Sequence, residues 1–595
     1  MSKAANARRA ILDEAAARNA DNAAAAQEDA MKGKPPVIPL GQEGACNVYY
    51  SIPHRCVYKL KANEHTRAHL LRMATRAEYA RWIRPDLSAD AAKQEEGRIM
   101  REAGSLLIEM AGGKQYNPDM LRGRGVWRDE DGGIIYNAGD ACFMVRADGS
   151  AEQVDGVRGR YIYDAGAPLI HPAADALPDD EGARLVDFYR ARPWVLPCAG
   201  ELVAGWMVCA VLAGVLPYRP HVWVNAPAFT GKSALKRDML RALGGRGAGD
   251  EVAGGHAVQF ENAGTTPAAV AQRIGQDALP VVFDEGESSN DDGGRKVRNM
   301  AGVLDILRSA ATSGDVGLSK GGADGTAKVY IFRFCAALYS IANNLDREAD
   351  TSRFLVLRLS PLVDDAARAA MWKMQEAARA MTQAQGFTAR LFTRLLRAVP
   401  VLLDNARAIR AHLQGAGHNA RRAELLGYLL AGAHALAKNG AVTDADMAHA
   451  AKVAQAVEEG QERESDTQRC LDALLGYSLP WRGGRINVAQ LCAIVRDGQD
   501  AEQKAAACDT LAALGLRWRD ALDALQVDTA ARGLRELYKG TDWQGGKITT
   551  VLAEGCKGGQ DSKNALGIWT QSAKINGNPR KVIMIPAARV IPSDD

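Results

Sequence analysis

Residues 220–233 read PHVWVNAPAFTGKS, and this stretch decides the fold. An apolar run leads into a loop that ends at Gly231, and a helical pattern follows directly. In this strand–loop–helix order, backbone N–H groups and a helix N-terminus surround a phosphate group. We therefore predict a phosphate-binding loop made of Ala226, Pro227, Ala228, Phe229, Thr230, Gly231, Lys232 and Ser233.

Two side chains of this loop carry the chemistry. Lys232 is expected to reach the β- and γ-phosphates of a nucleotide, and the Ser233 hydroxyl to bind Mg²⁺. The loop departs from the usual motif at Ala226, where glycine is more common. Taken alone, the same residues also fit an ordinary helix start.

A second stretch, residues 279–285, reads LPVVFDE and is typical of a buried strand that ends in two acids. Carboxylates at the carboxyl end of a parallel strand lie beside the phosphate loop. Asp284 is expected to hold the magnesium ion, and Glu285 to polarise the attacking water as a general base. Two acids after a strand are otherwise often only a turn. Together, the two stretches predict binding and hydrolysis of ATP with Mg²⁺.

Helices alternate with short apolar strands around these motifs, which indicates a parallel sheet with crossover helices. The strands predicted for this sheet are His221 to Asn225, Leu279 to Asp284, Val329 to Ser340 and Phe354 to Leu359.

The length of 595 residues predicts several domains. We expect an Ala-rich helical arm and linker over 1–36, a small α+β domain over 37–175, the ATPase core over 176–361, a helical subdomain over 362–465 and a winged-helix-like domain over 466–595.

The flanking regions carry local signals of their own. Strands are predicted at 48–52 and 56–60, a helix at 65–83, and a hairpin from 125–128 and 133–137. The helical subdomain is expected to break at Pro400 and at 415–417. In the last region, helices near 486–496 and 528–538 and extended pieces at 547–552 and 581–586 indicate the winged-helix unit.

Composition limits the class of protein. Hydrophobic residues make up 47% and charged residues 24%, which is typical of a globular chain. The net charge of +3 indicates no general affinity for nucleic acid, so any such surface must be local. The ten cysteines are scattered, which favours free thiols in a reducing cytoplasm and makes a structural zinc site an unfavoured interpretation. The apolar run 202–216 is too short to span a bilayer and predicts a buried helix.

The core resembles the AAA+ helicases of phages, plasmids and integrated elements, which are related to superfamily 3 and to primase-helicases. Four stretches carry the resemblance, in the order of that family: 220–224, 282–285, 307–321 and 340–354. The resemblance implies a fold of class α/β, with an AAA+ P-loop core of parallel sheet and flanking helices. A primase domain is not evident upstream.

Further site residues follow from the resemblance. In such motors a polar residue after the fourth strand senses the γ-phosphate, and the match falls on Asn343 or its neighbour Asn344. An arginine before the last core strand reaches into the next subunit's site, and Arg353 occupies that position, which implies a ring, expected to be hexameric. The alternative is that Arg353 pairs with Asp350.

The resemblance also implies DNA contacts. Superfamily 3 motors insert a hairpin that projects a basic residue into the central channel, and Lys320 matches it, with Lys328 as a weaker companion. The alternative is a solvated loop lysine. Contacts of this kind go to phosphates and weaken as salt rises.

The function expected from these patterns is an ATP-dependent DNA helicase that acts as a ring on single-stranded or forked DNA, in replication of a phage or mobile element in the bacterial cytoplasm. A replication protein is a possible additional partner. Two alternatives stay open: an AAA+ loader or remodeller of a protein partner, and a nucleotide-gated interaction or defence protein.

Overall fold

The computed structural model describes residues 33–595 except for 147–148, 227–229, 247–254, 261–264, 285–294, 313–317, 322–326, 341–352, 361–364, 463–465, 483, 539–542, 544–546, 554–555, 557–562, 565, 576–577 and 592–595. The described chain is a mixed α/β structure, and its centre is a five-stranded parallel sheet among helices. The Ala-rich arm predicted over 1–36 lies almost wholly outside the described residues.

The first described part holds three antiparallel strands and four helices: β1 Val37–Glu43, β2 Cys46–Ser51, β3 Cys56–Lys61, α1 Arg67–Met73, α2 Arg76–Ile83, α3 Ala89–Gln94 and α4 Glu96–Ala111. The two predicted strands are confirmed. The helical stretch predicted over 65–83 is confirmed as the two helices α1 and α2, since the chain breaks at Ala74 and restarts with a capping box. In that box the Thr75 hydroxyl accepts from the Glu78 N–H, and the Glu78 carboxylate accepts from the Thr75 N–H.

Seven short strands follow: β4 Leu121–Arg122, β5 Gly125–Arg128, β6 Ile134–Asn137, β7 Cys142–Val145, β8 Ala151–Val154, β9 Val157–Arg158 and β10 Tyr161–Tyr163. The predicted hairpin is confirmed as the antiparallel pair β5–β6, within a sheet of order β5-β6-β7-β8. Val126 and Tyr136 of this sheet belong to the same buried cluster as the central sheet. The Tyr136 hydroxyl also hydrogen-bonds His256 Nε2 at 2.6 Å. This sheet is therefore packed directly on the core.

The core contains α5 Asp179–Arg190, α6 Ala199–Val211, β11 His221–Asn225, α7 Lys232–Ala242, β12 Val258–Phe260, α8 Pro267–Ile274, β13 Val281–Phe283, α9 Arg295–Ala311, β14 Leu318–Gly321, β15 Ala327–Tyr330, β16 Ala336–Ser340 and β17 Phe354–Arg358. The central strands follow the order β12-β13-β16-β11-β17, and all neighbours are parallel. The predicted parallel sheet is confirmed.

Two strand predictions differ from this sheet, and one strand was missed. The single strand predicted from Val329 to Ser340 is wrong, since β15 pairs with β14 in a separate hairpin and only β16 enters the sheet. β13 begins after Pro280, because proline has no N–H to donate to a ladder. β12 was not predicted, because three residues are too few to display a pattern of alternation.

Two buried polar side chains anchor the start of β11. Arg219 is 2% exposed and donates to the carbonyls of Ala213 at 2.9 Å and Ala310 at 3.2 Å, near the carboxyl ends of α6 and α9. Such carbonyls lack helical partners, so a guanidinium satisfies them and complements the helix dipoles. His221 Nε2 donates to the Leu307 carbonyl at 2.8 Å, and its Nδ1 accepts from the Ala336 N–H at 3.0 Å. The first residue of β11 is thus tied to α9 and β16.

Helix α6 crosses behind this sheet, and all thirteen of its residues are buried. The buried helix predicted from the run 202–216 is confirmed. It packs against the helical region, which consists of α10 Asp365–Gln383, α11 Phe387–Gly415, α12 Ala420–Ala437 and α13 Asp444–Glu462. The close approach of α6 and α12 requires glycine, because a Cβ on Gly205 would lie 1.7 Å from the Leu429 carbonyl oxygen.

The helix break predicted at Pro400 is wrong, and the break at 415–417 is confirmed. Pro400 lies on the exposed face of α11. Buried residues on both sides of it, Leu396, Val399, Leu402 and Leu403, hold the helix together by packing.

The last region has its own buried cluster. Its elements are α14 Asp466–Gly476, β18 Ser478–Trp481, β19 Gly484–Asn487, α15 Val488–Asp497, α16 Ala501–Ala513, β20 Leu516–Arg519, β21 Ala524–Val527, α17 Arg532–Leu537, α18 Lys547–Leu552, β22 Trp569–Ile575, β23 Asn578–Pro586 and α19 Ala587–Val590. The extended piece predicted at 547–552 is wrong. Ile548 and Leu552 are both buried one helical turn apart, so tertiary packing overrides the β-branched residues between them. The helices predicted near 486–496 and 528–538 are confirmed as α15 and α17, and the extended piece predicted at 581–586 is confirmed within β23. A pair of helices directly before a hairpin is found at α15, α16 and β20–β21.

Two further observations concern the whole described chain. All ten cysteines are free thiols. Among the residues that the structure describes, no helix combines the length and apolar character needed to cross a lipid bilayer.

The buried His221 predicts a dependence of stability on pH. Burial lowers its pKa from 6.5 to about 4, so the folded chain keeps the ring neutral while the unfolded chain protonates below 6.5. Its contribution is therefore complete above pH 6.5 and is lost as the pH falls toward 4, by about 3 kcal/mol. Denaturant titrations between these pH values measure the effect.

His221→Gln keeps a side-chain N–H donor but does not titrate. We expect this variant to be less stable at neutral pH and to lose a smaller amount of unfolding free energy on acidification. An equal loss in both proteins would contradict the assignment to His221.

Candidate functional site

The site is organised by the carboxyl ends of three neighbouring strands. β13, β16 and β11 are adjacent and parallel, so Phe283, Ser340 and Asn225 end at one edge of the sheet. The chain leaves β11 for the far edge of the sheet at β12, and β17 lies on the other side of β11. Such a change of direction opens a crevice at the carboxyl ends of the strands, where ligands bind in open α/β sheets.

The two ends of the predicted phosphate loop, Ala226 and residues 230–233, lie at this edge of the sheet. Ala226 is 1% exposed and donates its N–H to the Ser340 carbonyl at 3.1 Å. Thr230 is buried, Lys232 is partly exposed and Ser233 is exposed at the first turn of α7. Pro227, Ala228 and Phe229 lie outside the described residues. The chain thus leaves β11 and enters α7 as the motif predicts, with Ser233 facing solvent.

Gly231 caps α7 with a left-handed backbone, at φ +86° and ψ +14°. Among the residues that the structure describes, a Cβ at this position would meet only Arg192 Nη1, at 3.9 Å, and the positive φ by itself already favours glycine. The N–H groups of the first turn of α7 have no partner within the helix and are directed toward this crevice. A helix N-terminus in this position suits an anion.

A chain of polar side chains lies beneath the loop. The Trp223 indole N–H donates to Ser340 Oγ at 2.5 Å, and Ser340 Oγ lies 3.3 Å from Asn225 Oδ1. Asn225 is 1% exposed, and its Nδ2 has no hydrogen-bond partner within the described part of the chain. A buried amide without a partner is unfavourable, which makes it a donor ready for a group that enters this edge.

Asp284 directly follows β13, and its carboxylate forms an ion pair with Lys236 of α7. The Asp284 N–H donates to the Phe260 carbonyl at 2.8 Å, so β12 also positions this residue. Lys236 lies one turn after Lys232 on the same helix. The acidic strand and the helix of the phosphate loop are therefore in direct contact. Glu285 lies outside the described residues.

Sequence reasoning missed a buried charge cluster beside the loop. Arg192 Nη2 donates to Asp238 Oδ2 at 2.6 Å, and these side chains are only 2% and 4% exposed. Arg379 and Arg241 approach the other oxygen, Asp238 Oδ1, at 3.3 and 3.8 Å. Burial lowers the pKa of Arg192, and the carboxylate of Asp238 opposes that shift. An arginine 46 positions from its partner gives no signal at helical spacing, so no sequence pattern indicated it.

The remaining predicted residues lie elsewhere or outside the described chain. Asn343 and Asn344 fall within 341–352, which the structure does not describe. Arg353 directly precedes β17, at the amino edge of the sheet, and its charge acts on the buried His221 there. Five strand residues span about 16 Å, so Arg353 lies far from Asp284 within one chain.

Lys320 and Lys328 are opposite each other in the antiparallel hairpin β14–β15. This hairpin lies outside the central sheet. Along the chain, it follows α9 and precedes β16. The two positions that the sequence singled out are therefore paired on one hairpin.

One solved structure, described as SCCmec type IV Cch, active helicase, is 10% identical, with 93% of each chain covered and a TM-score of 0.37. No protein-family model matches the chain, and no curated protein sequence matches it.

Replacing Gly231 by alanine is expected to lower the stability of the fold, and Gly386 offers a matched control. Gly386 caps α11 in the same left-handed conformation, at φ +77°, with open space around it. We expect Gly231→Ala and Gly386→Ala each to lower the free energy of unfolding by about 1 kcal/mol, because alanine is strained at positive φ. Chemical denaturation measures both. An unchanged stability for Gly231→Ala alone would contradict the helix start described above.

Proposed function

We propose that this chain is an ATP-hydrolysing motor of the AAA+ type that moves on DNA as a ring, in replication of a phage or mobile element. The observation that carries the proposal is the meeting of two distant stretches at one sheet edge. There, Gly231 and Lys232 open α7, and Asp284 contacts the same helix through Lys236. The amide of Asn225, whose Nδ2 has no partner among the described residues, and the helix N-terminus both suit a bound phosphate.

The residues of this edge fit ATP and magnesium. Lys232 and the loop 226–233 would hold the phosphates, Ser233 and Asp284 would hold the cation, and Glu285 would orient the attacking water. Magnesium neutralises charge on the phosphates when it is bound. Asn343 or Asn344 follows β16, whose carboxyl end lies between those of β11 and β13.

The ion pair between Lys236 and Asp284 suggests how the site responds to its ligand. Both side chains keep some exposure to solvent, at 17% and 29%, so water and a cation can reach the pair. A cation beside Asp284 competes with Lys236 for the carboxylate. Lys236 then becomes available for the phosphates that Lys232 holds, which links the position of α7 to the occupied site.

A ring is supported by the position of Arg353. Since Arg353 lies at the amino edge of its own sheet, it is too far from its own Asp284 to act on the same nucleotide. An arginine supplied across an interface neutralises charge on the transferring phosphoryl group and couples neighbouring sites. DNA would pass along the hairpin with Lys320 and Lys328. The unit of α15, α16 and β20–β21 would act as the winged helix.

The proposed nucleotide site predicts that one substitution weakens ATP binding and that another slows ATP hydrolysis without affecting binding. We expect Lys232→Ala to weaken ATP binding by at least about tenfold, because a charged phosphate contact is lost. Glu285→Gln is expected to keep binding and to lower the turnover rate by roughly a hundredfold. Calorimetry with Mg–ATP and phosphate release measure the two effects.

Lys373→Ala is the matched control, because this lysine is exposed on α10. Calorimetry that finds no heat of ATP binding in the unmodified chain would remove the proposal. Turnover that single-stranded DNA stimulates supports a motor on DNA. Stimulation by a protein partner alone would instead favour the loader.

Arg353 predicts complementation between subunits. Arg353→Ala and Glu285→Gln are each expected to be inactive alone. A random 1:1 mixture contains sites with an intact Glu285 next to a neighbour with an intact Arg353. We expect it to recover up to about a quarter of the unmodified turnover. No recovery in rings that are mixed by an independent test would contradict a role in trans.

A further inference from the structure

Arg122, in β4, is a buried cation whose N–H groups are only partly hydrogen-bonded. The residue is 8% exposed, and its Nε and Nη1 have no hydrogen-bond partner within the described residues. Its guanidinium carbon lies 5.0 Å from the ring centre of Trp127 and 4.4 Å from that of Tyr161. Aromatic faces stabilise a guanidinium group but accept none of its in-plane hydrogen bonds. The two rings therefore hold the guanidinium group of Arg122 in place, while its Nε and Nη1 remain without a hydrogen-bond acceptor among the described residues.

The same two rings carry two more arginines. Arg333 lies 5.8 Å from the ring centre of Trp127, and Arg160 lies 4.9 Å from that of Tyr161. Arg160 Nη2 also donates to the Tyr161 hydroxyl at 2.8 Å. Cations and rings thus alternate in one series, which we call the arginine–aromatic series: Arg333, Trp127, Arg122, Tyr161 and Arg160.

Positive charge exceeds negative charge along this series. Asp119 pairs with Arg333 at 3.3 Å, but its side chain is 38% exposed, and Glu130 accepts only from the backbone N–H of Arg160. Burial lowers the pKa of Arg122, and the like charge of Arg333 lowers it further. Burial would raise the pKa of Tyr161, but hydrogen bonds from Arg160 and Arg122 lower it below its ordinary value. Three cations therefore meet two carboxylates, and an added anion would be stabilised.

The series runs from the base of the hairpin to the surface. Arg333 follows the end of β15 by three residues, and Arg160 at the other end is exposed. Lys328 and Arg333 are five residues apart, so at most about 17 Å separates them along the chain. A strand that touches the hairpin can thus reach the series without a large gap.

We propose that the arginine–aromatic series binds the phosphate backbone of a single DNA strand at the base of the β14–β15 hairpin, an inference that rests on the proposed motor function. Arg160 and Arg333 contact phosphates directly, and Arg122 supplies the unneutralised charge behind them. Contacts of this type are indifferent to base sequence and release counterions. The upstream sheet thereby becomes part of the path that DNA takes, and is more than a structural support.

The test uses the full chain, a fluorescein-labelled oligothymidine of about 20 nucleotides, and fluorescence anisotropy between about 50 and 300 mM NaCl. We expect Arg160→Gln and Arg333→Gln each to weaken binding by roughly fivefold at low salt. The slope of log affinity against log salt should fall by roughly 0.7 for each lost contact. Arg122→Gln should also weaken binding. Arg184→Gln, an exposed arginine on α5 that pairs with Asp180, is the control and should change neither quantity.

The outcomes separate this inference from the motor proposal. Unchanged affinity and salt slope in Arg160→Gln and Arg333→Gln, with DNA bound by the unmodified chain, would overturn the site. The same holds if the unmodified chain hydrolyses ATP but binds no single strand. Absence of ATP turnover, with DNA binding that still depends on these arginines, would overturn the motor and leave the site. Arg160 is exposed, so its variant tests the idea even if Arg122→Gln fails to fold.

Discussion

Strand β11 is held on both of its edges, and this fixes where the chain goes next. Each of its five residues is buried, and it is hydrogen-bonded to β16 on one side and β17 on the other. At its start, His221 and Arg219 bind the backbone of α9, β16 and the end of α6. A strand fixed on both edges and both faces can deliver the following loop in only one place. The position of Gly231 and Lys232 therefore follows from packing at the far end of the same strand.

The local patterns around the site were predictable because each lies within one short stretch of sequence. The run 220–233 specifies a strand, a turn that needs positive φ and a helix start, all within fourteen residues. The acidic strand has the same property, since Asp284 comes directly after three buried apolar residues. One strand of the sheet was predicted wrongly because its sequence pattern is ambiguous. Val329 to Ser340 reads as one apolar run, but the structure divides it between a hairpin and the sheet.

Other features depend on contacts between distant residues, which no local pattern encodes. Pro400 stays inside α11, and 547–552 becomes helical, because buried neighbours decide the outcome. The cluster of Arg192 and Asp238 joins the segment after α5 to α7, and Arg379 adds α10. A buried pair of this kind is costly to break from one side, since the remaining charge loses its partner. It therefore fixes the orientation of α7 relative to the helical region, next to the phosphate loop.

The two edges of the central sheet face different parts of the chain. At the carboxyl edge, Arg358 pairs with Asp472 of α14 at 3.0 Å, which ties the last region to the edge with Asp284. At the amino edge, Arg124 forms a pair with Asp277 at 2.6 Å just before β13, and Gly125 bridges to Ala278. β13 and β16 thus run from the proposed nucleotide edge to the neighbourhood of the arginine–aromatic series. Packed strands do not deform continuously, so a shift at Asp284 moves the strand as a unit. In the proposed motor, these strands would link the nucleotide edge to the proposed DNA contact at the arginine–aromatic series.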